Sequence, residues 1–127
     1  MFLSKFEQQT YALVRIMAGF MFAAHGSQKL LSFPIASPGE APAFVLYVAG
    51  PIELIGGLLI LVGLLTRYSA FLCSGTMAAA YWIAHGTQAF WPIANRGELA
   101  ALYCFLFLFM AARGSGIWSV DAALGQR

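Results

Sequence analysis

The sequence predicts an all-α membrane protein, an antiparallel four-helix transmembrane bundle with both termini cytoplasmic. Three observations point there: an unusual excess of apolar residues, four apolar stretches of spanning length, and helix breakers between them. Of the 127 residues, 61% are hydrophobic and 9% charged, where soluble domains carry about 45–50% and about 25%. Seven basic and five acidic side chains cannot cover the surface of a soluble domain of this length. High apolar content with a net charge of +2 excludes a disordered chain. The basic residues are scattered and form no stripe for nucleic acid. The lipid bilayer is the expected surrounding, and residues 1–127 suit a single domain.

The first stretch runs from about Thr10 to Leu31, interrupted by Arg15, His25 and Lys29. The second runs from about Ala43 to Leu65 and carries Pro51 and Glu53. The third covers about Tyr68 to His85, and the fourth about Gly97 to Ala112. Each approaches the length that crosses about 30 Å of hydrocarbon at about 1.5 Å per residue. Continuous apolar runs favour helices over barrel strands, which would alternate apolar and polar positions. Pro34, Pro38, Gly39 and Pro42 follow the first stretch, Gly63 to Arg67 separate the second from the third, and Trp91-Pro92 precedes the fourth. Arg113-Gly114 ends the last with a basic residue and a glycine. The first stretch could also be read as a signal peptide, but its charges lie inside the run and no small-residue cleavage site precedes a soluble chain.

Orientation follows from charge. With the N-terminus inside, Lys5, Arg15, Arg67, Arg113 and Arg127 fall at or near the cytoplasmic face, and Lys29 and Arg96 outside. Tyr47, Trp82 and Trp91 then mark the outer interface, and Tyr68 and Trp118 the inner one. Small residues offer close helix contacts: Gly19 with Ala23, Gly56 with Gly63, and the row Ala70, Ser74, Ala78. Cys73 and Cys104 sit on different helices at different depths, so no disulfide is expected.

Two polar groups stand out. Arg15, His25 and Lys29 share one stripe of the first helix, facing the bundle or a wet groove. Glu53 lies about 15 Å from the outer end of the second helix by the helical rise, between His25 and Arg15 in depth. Arg15 or His25 is therefore its expected partner. Pro51 cannot donate to the carbonyl of Tyr47 and offers a kink beside the acid. Three readings stay open for Glu53: an ionic lock that fixes register, a substrate, proton or quinone site, and a neutral carboxylic acid.

The second group, His25, Lys29, His85, Asn95, Arg96 and Glu98, gathers at the outer ends of the helices with Trp82 and Trp91 nearby, and His85, Trp91, Asn95 and Glu98 form its candidate ligand site. Asn95 with Glu98 three residues on can be a capping box that opens the fourth helix. Haem ligation by His25 and His85 is disfavoured by their mismatched depths. His25, His85 and Glu98 follow no metal-ligand spacing, so no metal site is expected. A quinone ring needs only aromatic walls and one or two hydrogen-bonding groups, which this edge supplies.

In this frame the chain resembles the DoxX family of small bacterial membrane proteins. The resemblance rests on Arg15 with Gly19, then His25-Gly26 and Lys29, then Glu53 followed by Gly56-Gly57-Leu58-Leu59. It continues through Gly63-Leu64-Leu65-Thr66-Arg67, Glu98, and the closing run from Gly114 to Asp121. It implies a four-helix protein of the cytoplasmic membrane linked to membrane redox chemistry, since the family takes its name from a subunit of quinone-coupled thiosulfate oxidation. It carries over no catalytic residue. The expected role is a subunit or accessory of quinone-linked redox or oxidative-stress metabolism, with a membrane redox partner or an oligomer around it. The alternative is a non-catalytic scaffold or a carrier of a small apolar molecule. A redox enzyme acting alone would need a dinucleotide fingerprint, cluster cysteines or a haem pair, none of which the sequence shows.

Reporter fusions test the charge reading. A reporter after Arg127 is expected to read cytoplasmic, and one between Pro34 and Pro42 periplasmic. A periplasmic C-terminus would invert which polar group faces which compartment.

Overall fold

The computed structural model describes residues 1–37, 39 and 42–126, so Pro38 in the proline loop and Arg127 in the charge count lie outside the described residues. Every regular element among the described residues is helical. A 3-10 turn at Ser4–Phe6 leads into α1 (Glu7–Leu31). A π-turn at Val45–Ala49 runs directly into α2 (Gly50–Val62), and α3 (Thr66–Ala80) runs on into a second π-turn at Tyr81–His85. The short α4 (Pro92–Asn95) precedes α5 (Glu98–Arg113), and α6 (Val120–Ala123) follows.

Val45–Val62 is the one helical segment among the described residues that is, by length and composition, apolar enough to cross a membrane. α1 is longer at 25 residues, but Glu7, Gln8, Gln9, Arg15, Gln28 and Lys29 dilute its apolar character. α5 has 16 residues, which the helical rise makes about 24 Å long.

α1 packs along α2, α3 along α5, and α2 joins the two pairs through α3. The first contact is backbone on backbone. A Cβ added at Gly19 would meet Leu61 N at 2.5 Å and Gly57 O at 2.7 Å. One added at Gly57 would run into the backbone of Ala23, and one at Gly26 into that of Leu54. Gly56 and Gly63 also sit at close contacts, though not with the backbone of α1, and a Cβ at Gly63 would run into Ser119 Cβ. Gly56 faces α3, where a Cβ would lie 2.5 Å from Cys73 Sγ, and Gly63 ends α2 with φ 73°. Between the pairs sits an aromatic core in which Phe22 of α1 meets Tyr103 and Phe107 of α5 at ring separations of 5.2 and 4.8 Å. Ser74 of α3 donates to the carbonyl of Cys104 at 2.7 Å, and Cys73 and Cys104 are both free.

Arg15 occupies the other end of α1 from Lys29 and is 0% exposed. Its Nε donates to Ile60 O at 3.1 Å, its Nη1 to Ser115 O and Ile117 O at 2.6 and 3.0 Å, and its Nη2 to Trp118 O at 2.7 Å. One guanidinium thus ties α1, the end of α2 and the tail after α5. Only arginine presents so many donors in a rigid planar fork. Around it Tyr11 donates to Gly114 O at 2.6 Å, and Asp121 accepts from the amides of Leu65 and Thr66 at 2.9 and 3.0 Å, capping α3. Arg67 donates to the carbonyls of Ala111, Ala112 and Arg113, which end α5. Arg113 in turn pairs with Glu7 at 2.6 Å.

Charge-assisted hydrogen bonds contribute about 1.5–3 kcal/mol each, and a buried acceptor left unmet costs about as much. Arg15→Ala is therefore expected to destabilise the folded protein by about 3 kcal/mol or more. Arg15→Lys, which keeps the charge but not the fork, should recover only part of that. Thermal unfolding in detergent reads the difference. An Arg15→Ala variant as stable as the parent would show that the tail needs no such anchor.

Candidate functional site

Glu53 sits one turn into α2, two residues past Pro51. Proline lacks the amide hydrogen that an α-helix would direct to Tyr47 O. The backbone adopts a π-turn just before it, and Gly50 N donates back to Val45 O. Helical side chains lean toward the N-terminus of their helix. α1 and α2 run antiparallel, so Lys29 leans inward along α1 while Glu53 leans outward along α2. They meet: Lys29 Nζ donates to Glu53 Oε1 at 3.1 Å and lies 2.9 Å from Oε2. The Oε2 contact is ionic, outside hydrogen-bonding geometry, and Oε2 is buried with no hydrogen bond. The lysine side chain is 20% exposed and the carboxylate 5%.

The expected pairing of Glu53 with Arg15 or His25 is thus corrected to Lys29. Depth counted from backbone positions ignores the opposite lean of the two side chains. Arg15 precedes Lys29 by about four turns, about 21 Å along the axis, and its four hydrogen bonds all go to carbonyls. It does not belong to the Glu53 group.

His25, Lys29 and Glu53 open on a cavity of about 540 Å³, which His85, Arg96 and Tyr103 also line. Members of both polar groups therefore share one space. Its remaining walls are largely apolar. Val45, Val48 and Ala49 come from the first π-turn, and Ile83 and Ala84 from the second. Such turns are often found at functional sites. His25 also lines a second cavity of about 250 Å³ beneath Pro34 and Ile35.

Trp91, Asn95 and Glu98 stand outside the cavity lining. Trp91 and Glu98 are exposed. Asn95 is 1% exposed and supports the site from behind: its Nδ2 donates to Tyr81 Oη and Ala89 O, both at 3.0 Å, and its Oδ1 accepts from Gly97 N at 2.8 Å. Its carbonyl lies 3.0 Å from His85 Nδ1 and fixes the imidazole at the cavity edge. The expected capping box is absent. Arg96 takes a left-handed conformation at φ 62° that ends α4, and Gly97 precedes α5 without a side-chain cap.

Sequence reasoning missed Tyr103 as a site residue. It is buried at 4% exposure, stacks on Phe107 at 5.2 Å and 6°, and its hydroxyl has no hydrogen-bond partner among the described residues. A signal was available: Tyr103 carries the one hydroxyl in the apolar run Glu98–Arg113. Among the described residues no group of three or more His, Cys, Asp or Glu could hold a metal ion.

A family model described as DoxX matches residues 10–86. A Haemophilus influenzae protein named "Uncharacterized protein" is 42% identical, over 94% of this chain and 93% of its own. A Bacillus subtilis protein named "Putative oxidoreductase CatD" is 32% identical, over 86% of this chain and 82% of its own. "Uncharacterized membrane protein Rv3486" of Mycobacterium tuberculosis is 29% identical, over 90% and 80% respectively. No solved structure matches the chain.

A double-mutant cycle in detergent tests the pairing. Lys29→Met and Glu53→Gln are expected to couple by about 1 kcal/mol or more, since either alone strands a buried charge. Arg15→Lys and Glu53→Gln should be additive within about 0.5 kcal/mol. Coupling of Glu53 to Arg15 in place of Lys29 would refute the geometry.

Proposed function

The chain belongs to the DoxX family of membrane proteins, and on that premise we propose that it crosses the bacterial cytoplasmic (inner) membrane four times and holds an amphipathic ring compound, a quinone, as a subunit or accessory of quinone-linked redox or oxidative-stress metabolism. The four spans in this reading are α1, α2 with its preceding π-turn, α3 with its following one, and α5. Both termini lie in the cytoplasm. Charge placement supports the orientation: Arg15, Arg67 and Arg113 gather at the end tied down by the tail, while Lys29 and Arg96 border the cavity near the opposite end.

The observation that carries the reading is the cavity's chemistry. Aliphatic walls and the stacked ring of Tyr103 suit an apolar ring and tail. The buried Tyr103 hydroxyl and Glu53 Oε2 both lack hydrogen bonds: a quinone oxygen can accept from Tyr103, and the hydroxyl of the reduced ring can donate to Glu53 Oε2. The residues therefore fit a quinone head. When bound, the ring would supply two-electron redox chemistry. The chain's own part is to hold the ring against Tyr103, to keep a charged pair beside it, and to exclude water. The name of the Bacillus subtilis relative is compatible with that role. Predominantly apolar walls also favour the second reading, a carrier of a small apolar molecule with no redox step.

Protein purified from native membranes in mild detergent is expected to release quinone on solvent extraction. Added short-chain quinone analogues should raise its unfolding temperature. The shift should shrink in Tyr103→Phe and in a variant with Ile83→Trp, which fills the cavity. A quinone-free preparation that gives the same shift in all three proteins would defeat the redox reading.

A further inference from the structure

We propose that the cavity selects ring compounds carrying a free hydroxyl, a hydroquinone or another phenol, over the corresponding ketone or ether. This rests on the reading that the cavity takes an amphipathic ring. It goes further by naming the chemical form that binds.

The selection follows from which hydrogen-bonding capacities are already used. A carboxylate only accepts, an ammonium only donates, and a phenol hydroxyl does both. Lys29 commits its ammonium to the carboxylate, 3.1 Å from Oε1 and 2.9 Å from Oε2. The imidazole of His85 has Nδ1 engaged at 3.0 Å by the carbonyl of Asn95. That of His25, edge-on to Tyr103 at 6.4 Å, is half-buried, so its ring nitrogens are not among the buried groups without a partner. Arg96 at the rim is exposed, so water meets its needs. Inside, two buried oxygens carry no hydrogen bond: Glu53 Oε2, which the ammonium meets as a charge and which keeps a lone pair for a donor, and the Tyr103 hydroxyl, which takes either kind of partner.

A ketone oxygen brings lone pairs alone. It can satisfy Tyr103 but confronts the carboxylate oxygen with like charge. An ether oxygen has the same defect and adds bulk. A hydroxyl gives its hydrogen to Glu53 Oε2 and leaves lone pairs for Tyr103. The bond to Glu53 is charge-assisted, and such bonds are roughly twice as strong as neutral ones. Sites built around a hydroxyl reject analogues that lack it, because the buried partner is then stranded.

The test uses a pair of probes inert to redox exchange, 4-octylphenol and its methyl ether, with an octyl-substituted benzoquinone as a third. Binding to the full chain in lipid nanodiscs is measured by calorimetry. The parent protein is expected to bind the phenol at least about tenfold more tightly than the ether or the quinone, a modest form of hydroxyl discrimination. Glu53→Gln, whose amide can donate as well as accept, should collapse the preference by improving the ether and quinone. Tyr103→Phe, a change without charge, should weaken all three probes and serves if Glu53→Gln does not fold. Equal affinity of the parent for phenol and ether would overturn the selection and leave the ring-binding reading standing. No binding of any probe would overturn both.

Discussion

Backbone contact between α1 and α2 is the constraint from which the rest of the arrangement follows. Within lipid no hydrophobic force drives two helices together, so close packing must supply the attraction. Gly19, Ala23 and Gly26 on one side and Leu54, Gly57 and Leu61 on the other bring the backbones to a separation that no additional Cβ would allow. That contact fixes both axial offset and facing. Arg15 then comes level with the carbonyl of Ile60, and Lys29 comes within reach of Glu53. A slip of one turn would move each by about 5.4 Å and separate both pairs.

The two ends of this contact are finished differently. At the Arg15 end the guanidinium, Asp121 and Arg67 all find backbone partners, which join α3, α5 and the tail. At the Lys29 end α1 and α2 stay in contact, but two π-turns interrupt the regular backbone and a cavity opens whose walls hold polar atoms without hydrogen bonds. A native fold tolerates few such atoms. Thr66 Oγ1 and Ser115 Oγ, near Arg15, lack partners too, but those of Glu53 and Tyr103 border a space that can receive a guest.

Much of this was legible before any coordinates. The apolar stretches mark the long helices to within a few residues because composition and breakers act locally. Glu53 stood out because an acid in an apolar run demands a partner. Its actual partner did not, since pairing depends on the offset of two helices and on the direction in which side chains lean. Arg15 was visible as a buried cation, but its acceptors are carbonyls, and every residue has one. His25 and His85 were grouped at the outer helix ends, but that both line one cavity could not be read from depth, because a cavity of this size spans more than one helical turn. Asn95 looked like a cap by spacing, and the left-handed turn at Arg96 removed it from that position.

The π-turn at Val45–Ala49 separates two demands that a regular helix would tie together. An α-helix advances about 100° per residue, so the face that α2 presents to α1 would dictate which side chains of the preceding turn point into the cavity. One extra residue in the turn resets that phase. The wall made by Val45 and Val48 can therefore change its shape, by gaining or losing a single residue, while Gly57 keeps its seat against Ala23. Length variation at this point would be a way for one scaffold to accommodate guests of different outline.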